Sequence, residues 1–328
     1  MGSNFNDPAA ADTGGGAAGI PRYVVITPAR NEAPYIEQTL KSMAHQIIPP
    51  LRWVIVSDGS TDGTDDIVKR YTEQYVWMEL VRMPERAVRD FAGKVHAFNA
   101  GYARVKELDY EVICNLDADV SFGEDHFKFI LAKFADQPRL GVAGTAYIEG
   151  STLKYNYRLV NLEDVQGQCQ LFRRECFEEI GGYIPIRNGG IDVIPVYLAR
   201  MKGWQTRTFT ERTYVHHRVG GTGQGSLPGA FFRSGKKDYY LGGHPLWEVA
   251  RSVYQMKNKP YILSGLLLLC GYVWESFARG KSPVPVEVVA FRRKEQMQRL
   301  GVMVRNLSFK NKSADFSENA VGSGKGRR

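Results

Sequence analysis

The chain has 328 residues, 43% of them apolar, and its 43 lysine and arginine side chains against 35 acidic ones leave a formal net charge of +8. That apolar share can fill the core of one large domain with an appendage, which excludes a disordered or fibrous chain. The basic balance favours an anionic partner such as nucleic acid, a phosphate-bearing substrate or an acidic membrane, while four cysteines without C-x-x-C spacing give no sign of a zinc site or a disulfide framework.

Residues 1–21 lack a basic stretch followed by an apolar one, so they are expected to be a disordered tail and not a secretory leader. From Arg22 to about Ile148, strand-like runs alternate with helix-period runs. "YVVITPA" is followed by "PYIEQTLKSMAHQ", "RWVIVSDGS" by "TDDIVKRYTEQY", and "WMELVRM" by "KVHAFNAGYARVK". "EVICNLDAD", "HFKFILAKFAD" and "GVAGTAYI" continue the alternation. This rhythm predicts an α/β fold, a Rossmann-like, mainly parallel mixed sheet with helices on both faces. In such sheets ligands bind beyond the carboxyl ends of the strands. The polar clusters fall there: "TPARNE" after the first strand, "SDGSTDGT" after the second and "LDADVS" after the fourth.

Singly, each cluster is ordinary turn chemistry, and Asp58, Ser60 and Asp62 can cap a helix beginning near Thr64. Gathered on one edge, they predict a site. Asp117 and Asp119 would repel each other unless solvent, hydrogen bonds or a cation lies between them, so a divalent metal is one reading and a polar turn the other. Neither a P-loop nor a dinucleotide fingerprint is present, which leaves phosphate charge to a metal at Asp117 and Asp119 and to a cation such as Lys94.

Taken in order, "TPARNE", "SDGSTDGT", "GKVHAFNAG" and "LDAD" resemble the motifs of the family 2 glycosyltransferases, nucleotide-sugar enzymes of the GT-A fold, over roughly Tyr23 to Arg218. The resemblance implies that Pro28, Arg30 and Glu32 line a nucleotide pocket, that Asp58 meets base or ribose, and that Gly93 and Lys94 approach the nucleotide. It implies Asp117 toward ribose and sugar, and Asp119 on Mn²⁺ or Mg²⁺. "GGIDVIPVYLARMKGW" resembles the acceptor-side motif, which implies that Asp192 is the base of a single inverting displacement. An aspartate ahead of an apolar helical run is also a helix cap, and Ile191 stands where the family pattern has glutamate. The resemblance further implies a metal-binding histidine in "YVHHRVGGTGQGS", His216 or His217; neighbours on a strand project to opposite faces, so only one can enter a site. The glycine-rich loop that follows fits either a lid over the donor or a plain connection.

The transferase domain is expected over residues 22–250, its nucleotide half about 22–120 and its acceptor half about 121–250. A helical C-terminal region, 251–307, and a disordered basic tail, 308–328, follow. In "YILSGLLLLCGYVW", residues 261–274, about 1.5 Å per residue falls short of roughly 30 Å of hydrocarbon. A buried helix and a shallow monotopic insertion both fit, and the flanking Lys257, Lys259, Arg279 and Lys281 favour a headgroup interface. In "VEVVAFRRKEQMQRLG", Gln296 and Arg299 are spaced as in a Q-x-x-R-W motif, but Leu300 replaces the tryptophan. The segment reads as a basic amphipathic helix whose Arg292, Arg293, Lys294 and Arg299 suit an anionic lipid surface.

The expected protein is therefore an inverting, metal-dependent glycosyltransferase with a UDP- or GDP-sugar donor and a glycan or polyprenyl-linked acceptor. It is expected in the cytoplasm, peripheral or monotopic on the inner face of the plasma membrane, serving cell-surface polysaccharide or glycolipid synthesis. Without several membrane spans, single additions are expected over processive export. One rival, a nucleotidyltransferase making a nucleotide sugar, calls for a glycine-rich first loop that "TPARNE" does not supply. Another, a non-catalytic nucleotide-sugar binder recruiting a partner to a membrane, has no chemical need for Asp192. Nucleic acid is not an expected partner, because the basic residues are dispersed.

Overall fold

The computed structural model describes residues 19–85, 91–150, 152–153, 162–186, 189–218, 226–278, 282 and 284–322, the last of these without side chains from 306 onward. Its first half alternates as the sequence predicts: β1 (Tyr23–Ala29), α1 (Ile36–Ala44), β2 (Arg52–Asp58), α2 (Thr64–Thr72), β3 (Met78–Met83), α3 (Phe91–Val105) and β4 (Val112–Leu116). Then come β5 (Val120–Phe122), α4 (His126–Asp136), β6 (Leu140–Glu149), β7 (Thr152–Leu153), β8 (Cys169–Arg173), α5 (Arg174–Glu179), α6 (Val193–Met201) and β9 (Gln205–His216). Four helices close the chain: α7 (Leu227–Tyr240), α8 (Pro245–Gln255), α9 (Leu263–Ala278) and α10 (Val286–Gly322).

The strands form one mixed sheet in the order β3-β2-β1-β4-β8-β6-β9-β5, with β7 beside β6. β3, β2, β1 and β4 run parallel, so their carboxyl ends share one edge. β8 is antiparallel to both β4 and β6, and it joins that parallel half to a second parallel pair, β6 with β9. The strand residues are apolar in unbroken runs because both faces are covered. Tyr23, Val25, Trp53, Ile55 and Cys114 face α1, α2 and α4, while Val24, Ile26, Val54, Val56 and Ile113 face α3 and α6.

The C-terminal helices pack on this sheet domain through partly buried ion pairs. Arg200 of α6 holds Glu295 of α10 at 2.8 Å, and Arg299 holds Asp164 at 3.1 Å. Arg292 reaches Asp238 of α7 at 3.0 Å, and Gln296 accepts a hydrogen bond from the His244 amide. These contacts correct the lipid-facing reading of α10. Arg292 is buried and Arg299 is drawn inward by Asp164 and Glu295, which leaves Arg293 and Lys294 as the exposed members of that set. α10 also runs through Gly322, into the stretch expected as a tail, with no proline or glycine between residues 302 and 321 to stop it. Segment 261–274 lies mostly in α9, which buries Ser264, Gly265, Leu268, Gly271 and Tyr272 and exposes its opposite side. Among the described residues, no helix is long and apolar enough to cross a membrane.

Candidate active site

The parallel half of the sheet brings its polar strand ends together, and backbone bonds between loops fix them there. After β1, Asn31 takes a positive φ of 54°, which turns the chain so that its amide donates to Ser60 Oγ at 3.1 Å. The next two amides follow suit: Glu32 N–H donates to Thr64 Oγ1 and Ala33 N–H to Asp62 Oδ2. "TPARNE" and "SDGSTDGT" are thus one interlocked structure. Burial works against ionisation of Asp62, but the hydrogen bonds it accepts from Thr64 and Ala33 hold its carboxyl below the usual range. Asp62 is committed to this turn. Asp58 instead faces the β1 side, where Arg30 Nη1 lies 3.7 Å from its Oδ2, with Pro28 in the strand beneath them.

At the end of β4 the Asp117 amide donates to the Gln168 carbonyl at 2.8 Å, and Asn115 Nδ2 donates to the Gly167 carbonyl. Thr39 of α1 clamps the far side of the same loop, its hydroxyl bonding the Ala118 and Val120 carbonyls at 2.9 and 2.7 Å. Held this way, the two carboxylates one residue apart turn to different cations. Asp117 pairs with Lys94, which follows the buried Gly93 in the first turn of α3. Asp119 faces His216 Nε2 at 3.5 Å and Arg218 Nε at 3.4 Å, and Arg218 also pairs with Glu32. Glu32, Arg218, Asp119, His216 and Glu149 therefore form one chain of charge from the end of β1 to the ends of β9 and β6.

Electrostatics separates the pair further. Burial raises Asp117, and Lys94 only partly offsets it; burial would raise Asp119 too, but His216 and Arg218 together hold it below its usual value. Burial opposes the charge on Lys94, yet Asp117, Asp192 and Asp119 raise its pKa overall. His216 is likewise disfavoured by burial and raised on balance by Asp119 and Asp117. His217 turns elsewhere: its amide donates to the Asp119 carbonyl, its ring lies 2.8 Å from Ser121 Oγ, and burial lowers its pKa. Of the two histidines, His216 is the one beside the Asp119 carboxylate.

Among the described residues, no three His, Cys, Asp or Glu side chains converge at metal-ligand spacing. Asp119 and His216 do lie side by side, and His216 Nδ1 is buried with no hydrogen-bond partner among the described residues. The His216 ring lies between Asp119 and Glu149, and a divalent cation beside Asp119 would bring positive charge to the same carboxylates while leaving an imidazole nitrogen to ligate it. The donor set fits a hard cation that takes two protein ligands and completes its shell with phosphate oxygens and water.

Asp192 stands at the N-terminal flank of α6, but its side chain accepts no cap hydrogen bond, so helix capping does not occupy its carboxylate. Gln170 of β8 fixes its backbone by donating to the Asp192 carbonyl at 3.1 Å, and Tyr183 donates to the Gln170 amide oxygen. Gly167 leaves room for the side chain, since a Cβ there would sit 2.5 Å from Asp192 Cβ. Lys94, Asn115 and Asp192 line one pocket with Val95, Phe98, Tyr183 and Ile191. Thr39, Gly167, Gln170 and Arg218 escaped the reading of the sequence. Arg218 alone carried a signal there, as a third polar residue in "HHR". The glycine-rich loop after it, residues 219–225, lies outside the described residues.

Residues 24–185 match the family model for glycosyl transferase family 2. The chain is 29% identical over 209 residues to a probable glycosyltransferase, YdaM, of Bacillus subtilis, spanning 61% of this chain and 47% of that protein. It is 30% identical over 115 residues to a poly-beta-1,6-N-acetyl-D-glucosamine synthase of Staphylococcus epidermidis, spanning 34% of this chain and 25% of the synthase. The chain thus spans half or less of the length of these curated relatives. Among solved structures, a mannosyltransferase of Pyrobaculum calidifontis in complex with GDP-Man and Mn²⁺ superposes with a TM-score of 0.54 at 22% identity, covering 88% of this chain and 87% of that one. Residues 1–349 of S. aureus TarS with UDP-GlcNAc superpose with a TM-score of 0.50 at 15% identity, over 87% and 81% of the two chains. At these identities the likeness shows the fold.

Proposed function

This chain belongs to the family 2 glycosyl transferases and has their GT-A fold, and from that premise we propose that it transfers a sugar, with inversion, from a nucleoside-diphosphate donor to a hydroxyl acceptor. The observation that carries the reading is the pocket in which Lys94, paired to Asp117, faces an uncapped Asp192. UDP- and GDP-sugars are the donor classes, and the solved neighbours hold one of each.

In this reading Arg30 and Asp58 receive the base and ribose, and Gly93 lets the diphosphate approach the α3 backbone while Lys94 meets its charge. Asp119 and His216 would hold Mn²⁺ or Mg²⁺, which would supply Lewis-acid neutralisation of charge on the leaving diphosphate. Asp192 accepts the proton of the acceptor hydroxyl as its oxygen bonds to the anomeric carbon. The bond from that carbon to the diphosphate oxygen breaks, and its electron pair leaves with the nucleoside diphosphate. Attack from the face opposite the leaving group inverts the centre.

The acceptor in this proposal is a glycan or a polyprenyl-linked sugar, the setting is polysaccharide or glycolipid assembly, and the enzyme works at the cytoplasmic face of a membrane. The test is Asp192→Asn. A positioned general base contributes about 10²- to 10⁴-fold, so turnover should fall by that factor while affinity for the donor nucleotide stays within about twofold. Wild-type turnover in the variant would remove Asp192 from the mechanism.

A further inference from the structure

We propose that the outer faces of α8 and α9 form a monotopic docking surface for an anionic lipid bilayer; this deepens the membrane setting given above and rests on it. α9 is apolar apart from Ser264, Glu275 and Ser276, yet the structure buries only one side. That side is built for close approach: a Cβ on Gly265 would collide with the Ser252 carbonyl of α8, and one on Gly271 with the Phe232 carbonyl of α7. Gly235 of α7 makes the reciprocal close contact with the Leu268 carbonyl. The opposite side presents Leu266, Val273, Trp274 and Phe277 to solvent, with Ile262 just before the helix; Leu266 and Val273 are two turns apart and Trp274 and Phe277 one turn apart, and Trp274 is 63% and Phe277 81% exposed. On α8, Leu246, Val249 and Val253 repeat the pattern beside it. Two neighbouring helices with exposed apolar rows make a contiguous patch of a kind that soluble surfaces rarely carry without a partner.

Charge identifies the partner. Between residues 245 and 278 the acidic side chains are Glu248 and Glu275, and both turn inward, Glu248 buried beside Arg251 and Glu275 bonded to Lys236 of α7 at 3.1 Å. The α8–α9 connection exposes Lys257 and Lys259 at the rim of the patch, with Tyr261 next to them. Apolar centre, aromatic and lysine rim, and no outward acid suit an anionic headgroup layer better than the mixed-sign surface of a protein. α9 has 16 residues and so enters along the interface without crossing it. The placement also serves the chemistry. α7 packs on α9, and Leu241 at its end fills the space beside Gly190, two residues before Asp192. The docking helices are therefore joined through one element to the base, so a lipid-linked acceptor would meet the site from the membrane side.

The experiment is co-sedimentation of the full chain with phosphatidylcholine vesicles and with vesicles part phosphatidylglycerol. An environment-sensitive fluorophore on Cys270, the one exposed cysteine and a member of the same face, reports insertion. The wild type should bind both vesicles, more tightly the anionic ones, with a blue shift of the probe. W274S/F277S should lose on the order of a hundredfold in partitioning, and K257E/K259E roughly tenfold or more on anionic vesicles alone. These side chains are exposed, so the variants keep the core. Absence of vesicle binding, or binding unchanged in W274S/F277S, overturns the proposal. So does a wild-type dimer that the aromatic variant turns into a monomer, because a second copy would then cover the face. Nucleotide binding measured on the same samples separates the two readings: its loss in the wild type strikes the transferase proposal, and loss of vesicle binding with nucleotide binding intact strikes only this one.

Discussion

At the edge of the sheet, Lys94 and Asp192 line a pocket and Asp117 pairs with Lys94 beside it, whereas in the C-terminal helices Asp238, Arg251 and Arg292 are packed against one another. The first group keeps charge available by holding it with backbone bonds from neighbouring loops, so that a ligand can take over the pairing. The second uses charge to fasten helices, and no ligand is needed to complete it. A sequence shows charged residues in both places with equal weight. What tells them apart is whether the partner is another element of the chain or a cavity.

The largest effect is expected at Arg292. Its guanidinium bonds Asp238 and the Leu241 carbonyl in a buried setting, and removing one partner of a buried pair costs about 3–5 kcal/mol. Arg292→Met should lower unfolding free energy by that amount in denaturant titration, while nucleotide affinity of the folded protein remains that of the wild type. A smaller effect of the opposite character is expected at Gly167. The added methyl of Gly167→Ala meets Asp192, and displacement of a reacting group by about an ångström costs on the order of 10²-fold. Steady-state kinetics should therefore show a lower kcat, with the melting temperature changed far less than in Arg292→Met.

The smallest effect concerns pH. Burial pushes the Glu248 carboxyl up to about 7 despite Arg292. In the unfolded chain the group loses its proton near its ordinary value of 4.5, so between that pH and about 7 the folded state binds more proton and stability falls as pH rises. The fall amounts to at most about 3 kcal/mol. Glu248→Gln should flatten the stability profile across that window and leave the activity profile alone. A change in the activity profile instead would mean that the helical region is coupled to the chemistry.

Much of the first half was legible because each element there declares itself locally. "YVVITPA" coincides with β1 and "HFKFILAKFAD" with α4, since apolar runs of strand length and helix period leave little freedom when both faces of a sheet are covered. β5 and the antiparallel course of β8 were not legible. β5 has three residues and exists by pairing with β9, and the direction of β8 is set by β4, more than fifty residues earlier. The site divides the same way. Asp117 and Asp119 stand in a recognisable motif, but the hydrogen bonds that aim them come from Thr39 and Gln168, whose types carry no catalytic signal. Arg292 and Arg299 were misread as lipid-facing because their partners, Asp238 and Asp164, lie 54 and 135 residues away. Helical periodicity finds a polar face but not what covers it.

The most direct test of the donor site is thermal stabilisation by UDP and by GDP, each with and without Mn²⁺, on the wild type and on Asp119→Ala. One nucleotide should raise the melting temperature only when the metal is present, and Asp119→Ala should abolish the increment without lowering the ligand-free melting temperature by a comparable amount. No stabilisation by either nucleotide in any condition, or an increment that survives in Asp119→Ala, would contradict this and return Asp117 and Asp119 to the role of a polar turn at the end of β4.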